Sequence, residues 1–127
     1  MRKQWCSSYT EGVIMAWQNT IGDGANSLTA TSITAAGTTQ ATATILLAQD
    51  NEVTTVASGA GVVVTNLLLP GENMTVFNAG ANAVKVYPPT GVQINALGSN
   101  NGFSLSPNTG VMLRMVSTSR IFGVLSA

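Results

Sequence analysis

The sequence predicts an all-β fold, a compact antiparallel β-sandwich or barrel preceded by an N-terminal arm. Three observations support this prediction. Short runs with period-2 alternation recur through residues 31–127, turn residues separate these runs, and no stretch keeps a helical period. Residues 1–30 lack the alternation. We therefore divide the chain into an arm over residues 1–30 and a β domain over residues 31–127.

The arm contains both tryptophans and one continuous apolar block, residues 12–17. A polar turn around residues 22–24 ends the block. Aromatic anchors are enriched at interface hot spots, and an exposed apolar block marks an interaction site. We expect the arm to dock on a neighbouring protein through Trp5, Val13, Ile14, Met15 and Trp17. For Trp17 a second interpretation stays open, in which its side chain covers the core of its own domain.

The β domain is predicted to be a succession of short strands with frequent turns. Pro70-Gly71 fits the centre of a type II turn, because Pro fixes φ at the second position and Gly accepts a positive φ at the third. Residues 106–110 and 117–119 are similar turn sequences. The predicted strands are residues 40–47, 53–56, 62–69, 74–78, 83–87, 92–94, 103–105, 111–116 and 121–125.

The clearest predicted element is a β-hairpin over residues 72–87. Two alternating runs are joined by residues 79–82, and residues 88–91, which begin with two prolines, end the second run. Because side chains in a strand alternate between faces, each run has one core-facing set. The predicted core-facing residues are Met74, Val76, Val84 and Val86.

The composition argues against an enzyme and against a cofactor or metal site. The chain has no histidine, which is the usual proton shuttle near neutral pH and the commonest metal ligand. Cys6 is the single cysteine, so the fold does not depend on an intramolecular disulfide, and this fits assembly inside a cell. We expect no catalytic residues, no metal and no cofactor.

The low charge indicates association with other protein chains. Only 8% of the residues are charged and the net charge is zero, whereas about 25% is usual for a globular protein. The five basic residues are scattered, which argues against nucleic-acid binding. The charge-free run over residues 53–71 contains polar residues, glycines and a proline, so two short strands explain it better than a membrane span. We expect a homo-oligomer, and no nucleic-acid or membrane partner.

Three further side chains are predicted as possible interface residues: Tyr87, Arg114 and Arg120. The two arginines flank the last predicted hairpin turn, where they face each other or the carboxylates of a partner. Tyr87 precedes the loop over residues 95–102, whose asparagines suit glycan binding, although a plain loop tip is the simpler interpretation.

The run N-A-G-A-N-A-V-K-V-Y-P-P-T-G-V-Q-I-N-A-L-G over residues 78–98 resembles small structural proteins of tailed bacteriophages and prophages. Residues 33–43 and 102–111 fit the same group, and the resemblance covers residues 31–127 in outline. It implies a virion part: a trimeric head-decoration protein, a head fibre or a piece of a tail fibre.

The leading expectation from this resemblance is a capsid decoration, or cement, protein. Such a protein is a homotrimer on the capsid surface of the virion that bridges subunits of the major capsid protein, after synthesis in the host bacterial cytoplasm. The alternative is a tail-fibre or head-fibre module that binds the host surface or a glycan. The decoration function depends on shared surface burial and needs no chemistry, whereas the fibre module needs an exposed distal surface with polar and aromatic residues.

Overall fold

Ten β-strands and no helix make up the described part of the computed structural model, residues 28–126. The all-β prediction is confirmed. The first strand begins at Thr29, slightly before the predicted start of the β domain. The strands are β1 (Thr29–Thr34), β2 (Thr44–Leu46), β3 (Asp50–Thr55), β4 (Gly61–Val64), β5 (Asn73–Asn78), β6 (Val84–Tyr87), β7 (Gln93–Ile94), β8 (Phe103–Leu105), β9 (Thr109–Ser117) and β10 (Arg120–Leu125).

These strands form two sheets that enclose one core. The six-stranded sheet has the order β1-β3-β5-β9-β10-β7, and the four-stranded sheet has the order β2-β4-β6-β8. From β1 to β9, consecutive strands alternate between the two sheets. Each connection in this part of the chain therefore carries the backbone around a corner to the other sheet.

The first six strands form three coils, β1-β2, β3-β4 and β5-β6, that stack in parallel. In the six-stranded sheet Asp50 pairs with Thr75, and in the four-stranded sheet Val62 pairs with Val86. This arrangement is a β-solenoid, and the predicted antiparallel sandwich or barrel is wrong. Alternation and turn residues reveal strands and their faces but not their partners, so the sequence pattern fits both architectures.

The predicted hairpin over residues 72–87 is also wrong, although its two strands and their inward faces are right. β5 and β6 lie in different sheets, so residues 79–82 form a corner of the solenoid. The four predicted core residues are all buried: Met74, Val76, Val84 and Val86.

This corner is held by the fully buried side chain of Asn78. Its Nδ2 donates to the carbonyl oxygens of Asn82 and Leu105, each at 2.9 Å, and its Oδ1 accepts from the backbone N–H of Gly80 at 2.9 Å. A Cβ atom on Gly80 would lie 2.7 Å from Cγ2 of Val56, a residue in the equivalent corner of the preceding coil. Gly80 therefore lets the two corners stack, and the Asn78 amide links this corner to β8.

Two of the strands that follow the three coils, β8 and β9, run antiparallel to the coil strands beside them. β8 pairs antiparallel with β6, and β9 pairs antiparallel with β5. β9 and β10 form a hairpin, and β10 also pairs in parallel with the short strand β7. At the other end, the outer edges of β1 and β2 pair with no further strand within residues 28–126.

The core is rich in valine, as the predicted strands suggest. Inward residues from the two sheets form one cluster, and Phe103 packs against it at half-burial. The largest fully buried side chains are Leu46, Met74, Ile94, Leu105, Leu113, Ile121, Val53, Val62, Val64, Val76, Val84 and Val86. Many modest side chains therefore share the burial, with no single large aromatic anchor among them.

We predict that Asn78→Ala lowers the free energy of unfolding by about 2–4 kcal/mol, because it leaves a buried N–H and two carbonyls without their partner. Urea denaturation at one fixed protein concentration measures this change. Asn66→Ala, at an exposed position after β4, is the matched control and should change stability by less than about 0.5 kcal/mol. Equal stability of the two variants would show that the Asn78 amide does not hold the corner.

Candidate interaction surface

The side of the six-stranded sheet turned away from the core carries large apolar side chains. We call this side the outer face and define it by the outward positions of β3, β5, β9 and β10. Alternation creates it: on β9, for example, Met115 is buried while Met112 is 55% exposed. The exposed apolar residues on the outer face are Phe77, Met112, Val116, Phe122 and Val124.

Strand register brings these side chains together. Met112 lies opposite Val124 on β10 and opposite Thr75 on β5. Phe77 lies opposite Gly110, and a Cβ atom at Gly110 would be 3.4 Å from the Phe77 ring. The missing side chain leaves the Phe77 ring room to lie over β9. An apolar patch with residues from three adjacent strands is the result, and contiguous patches of this kind commonly mark interaction sites.

The two predicted interface arginines also project from the outer face. Arg114 pairs with Phe122 across the β9–β10 hairpin, while Arg120 pairs with Ser117, so the arginines do not face each other. Arg114 Nη1 donates to the Asn73 side-chain oxygen at 3.2 Å.

Arg120 is oriented by the neighbouring strand. With the Gln93 amide on β7 turned to the orientation that its surroundings favour, the side-chain oxygen accepts from Arg120 Nε at 3.1 Å and also from Nη2. Both arginines thus contact amide oxygens of their own chain, which orient the guanidinium groups while they stay exposed.

The third predicted interface residue, Tyr87, lies on the opposite side of the molecule. Its ring is half-buried on the outside of the four-stranded sheet, and its hydroxyl donates to the Thr38 carbonyl at 3.0 Å. Glycines make room for the ring: added Cβ atoms would lie 2.8 Å from it at Gly61 and 2.9 Å from it at Gly102.

Tyr87 contributes to a shallow cleft of about 370 Å³, the Tyr87 cleft, lined by Lys85, Tyr87, Leu97, Asn100, Asn101 and Gly102. The asparagines predicted to suit a glycan already have partners in this chain. The Asn100 side-chain oxygen accepts from the Gly91 N–H at 2.6 Å, and Asn101 Nδ2 donates to the Leu97 carbonyl at 2.7 Å. These bonds leave the cleft with fewer free polar groups than its composition indicates.

Another apolar area lies where the chain passes from the four-stranded to the six-stranded sheet. Its exposed side chains are Leu28, Leu47, Leu67 and Leu69, and we call it the leucine corner. The first three of these leucines, together with the buried Leu68 and Met74, line a groove of about 480 Å³.

The predicted arm residues Trp5, Val13, Ile14, Met15 and Trp17 lie outside the described residues. The patch on the outer face was not predicted as a site, although a signal for it was present. Within their strands, Phe77 and Met112 lie an odd number of residues from the core-facing side chains. Alternation therefore places these two large apolar groups on the solvent side.

Residues 28–126 contain no cluster of three or more metal-ligating side chains, and no helix there is long and apolar enough to cross a membrane. Comparisons of the chain with protein-family models, curated proteins and solved structures gave no match.

We predict that Gly102→Ala destabilises the protein by about 1–3 kcal/mol, since overpacking forces neighbouring groups to move. The new Cβ would lie 2.5 Å from the Val86 carbonyl oxygen, and this backbone atom cannot swing away as a side chain can. Thermal or urea unfolding measures the loss. Gly110→Ala is the control, because its nearest contacts are 3.4 Å away and it should lose less than about 0.5 kcal/mol. Equal effects at both glycines would contradict the tight packing around Tyr87.

Proposed function

We propose that this chain is a structural protein of a tailed-bacteriophage virion, a capsid decoration protein that acts as a homotrimer. It would stabilise the shell by bridging subunits of the major capsid protein on the capsid surface, after synthesis in the host bacterial cytoplasm. The resemblance of residues 78–98 suggests the virion, and the exposed apolar patch on the outer face is the observation that carries the proposal.

The patch supports the proposal because its large apolar side chains favour burial against protein. Met112, Phe122 and Val124 are each more than half exposed, at 55%, 52% and 68%. Covering apolar surface contributes about 25 cal/mol per Å², and aromatic side chains bury the largest areas. A β-solenoid also suits a cementing role, since the β9–β10 hairpin that carries these groups is hydrogen-bonded to β5 of the stacked coils.

Charge supports protein partners over nucleic acid. The described basic residues are Lys85, Arg114 and Arg120, and they share the surface with Asp50, Glu52 and Glu72. Nucleic-acid binding needs clustered lysines and arginines that displace counterions from phosphates. The proposed activity is mechanical: it needs complementary surfaces and no reacting group, so we propose neither an enzyme nor a cofactor.

A fibre module that binds the host surface or a glycan is the second candidate, and two observations favour it. Within residues 28–126, β1 and β2 are the outermost parallel strands, and their outer edges could continue into further coils of a fibre. The Tyr87 cleft places an aromatic ring beside Lys85, and small-molecule sites typically combine aromatic side chains with a few polar groups.

The location of the protein in virions tests the proposal. We expect a cryo-EM reconstruction of phage particles to show many copies over the head, at positions between capsid subunits. Particles made without the gene are the matched control: they should lack this density and lose packaged DNA at a lower temperature. A few copies at the tail would instead favour the fibre module, and a protein absent from purified virions would contradict both functions.

A further inference from the structure

Charged side chains on the outer face are separated by sign. Asp50 and Glu52 project from β3 on one side, and Arg114 and Arg120 project from β9 and β10 on the other. Strand β5 lies between β3 and β9 and contributes Phe77 and no charge to the outer face. The face therefore has an acidic strip, Asp50 and Glu52, and a basic strip, Arg114 and Arg120. The other outward positions of β5, β9 and β10 carry both apolar groups and polar ones, the polar ones being Asn73 and Thr75 on β5.

The two strips are too far apart to neutralise each other within one chain. Neighbouring strands are about 4.8 Å apart, so β3 and β9 are separated by about 10 Å across β5. The arginines contact the amides of Asn73 and Gln93 instead. Their charge is thus held in place and still available to a carboxylate of another molecule.

We propose that the outer face binds the outer face of a second copy of this chain, with the acidic strip of one copy against the basic strip of the next. This inference rests on the proposed function, because it names the partner of the surface on which that function depends. A two-fold rotation that lays β3 of one copy over β9 and β10 of another matches both strips. This contact therefore joins copies in pairs, and the three-fold contact of a homotrimer would use a different surface.

A second copy fits better than an unrelated partner because the face is complementary to itself. The acidic strip has two carboxylates and the basic strip has two guanidinium groups, so their charges balance. The whole chain also has zero net charge. Copies therefore approach without net repulsion. The leucine corner is equally apolar, but no charge pattern there indicates what would cover it.

The size of the face predicts a moderate affinity. Three strands of six residues and one of nine cover about 400 Å² in projection, whereas stable interfaces bury about 800 Å² per partner. We therefore expect association in the micromolar range. Exposed ion pairs contribute less than about 1 kcal/mol each, so the apolar groups supply most of the affinity and the charged strips set the orientation.

The experiment is sedimentation equilibrium of the full chain across micromolar concentrations, with variants that reverse each strip. D50K/E52K and R114E/R120E should each raise the dissociation constant about tenfold or more, because like charges then oppose each other. The quadruple variant D50K/E52K/R114E/R120E should associate again, since its strips are exchanged and once more complementary. All these positions lie on the outside of the sheet, and urea unfolding checks that each variant folds.

Two controls separate this surface from general effects of charge and polarity. K85E reverses a charge on the four-stranded sheet and should leave the dissociation constant unchanged. M112D should weaken association, whereas L67D, at an exposed position of the leucine corner, should not.

Three outcomes would overturn the inference. They are a wild-type monomer at all these concentrations, strip reversals without effect, and a quadruple variant that stays dissociated. A protein that decorates phage heads while its strip reversals still associate normally would refute this interface and leave the proposed function standing. If the strip reversals weaken association as expected but the protein is absent from virions, the interface stands and the proposed function is refuted.

Discussion

The architecture depends on how the chain leaves β5. A hairpin there would return the backbone beside β5 in the same sheet, but the buried Asn78 amide binds the Gly80 N–H and the Asn82 carbonyl and turns the chain toward the other sheet. The third bond of this side chain, to the Leu105 carbonyl, links the corner to the strand that closes the stack. Buried polar groups destabilise the folded state when they lack hydrogen-bond partners. This small network therefore strongly favours the corner over a hairpin between β5 and β6.

That corner also determines what lies on the outer face. Since β6 leaves for the four-stranded sheet, the edge of β5 is free to accept β9, and β10 follows through its hairpin. Phe77, Met112 and Val124 thereby become neighbours, with the carboxylates of β3 on one side and the arginines on the other. The candidate interface is thus a consequence of the solenoid path, because a hairpin between β5 and β6 would have put Lys85 and Tyr87 beside β5 instead.

The sequence predicts the local features of this protein and not the long-range ones. Alternation correctly places Met74 and Val76 inward and puts Met112 and Met115 on opposite sides of one strand. Pairing partners are decided by contacts between distant residues, such as the bond from Asn78 to Leu105, and the same alternating runs suit a hairpin or a solenoid. The interface role predicted for the two arginines stays a prediction, and their position relative to Phe77 and Asp50 depends on strand order, which alternation does not encode.

An experimental structure of the assembled protein would show which surfaces of neighbouring copies meet. We expect the outer faces to meet, with Phe77, Met112 and Phe122 buried between them and carboxylates of β3 close to arginines of the next copy. An assembly in which the outer face stays in solvent while the copies meet through the leucine corner or the Tyr87 cleft would contradict it.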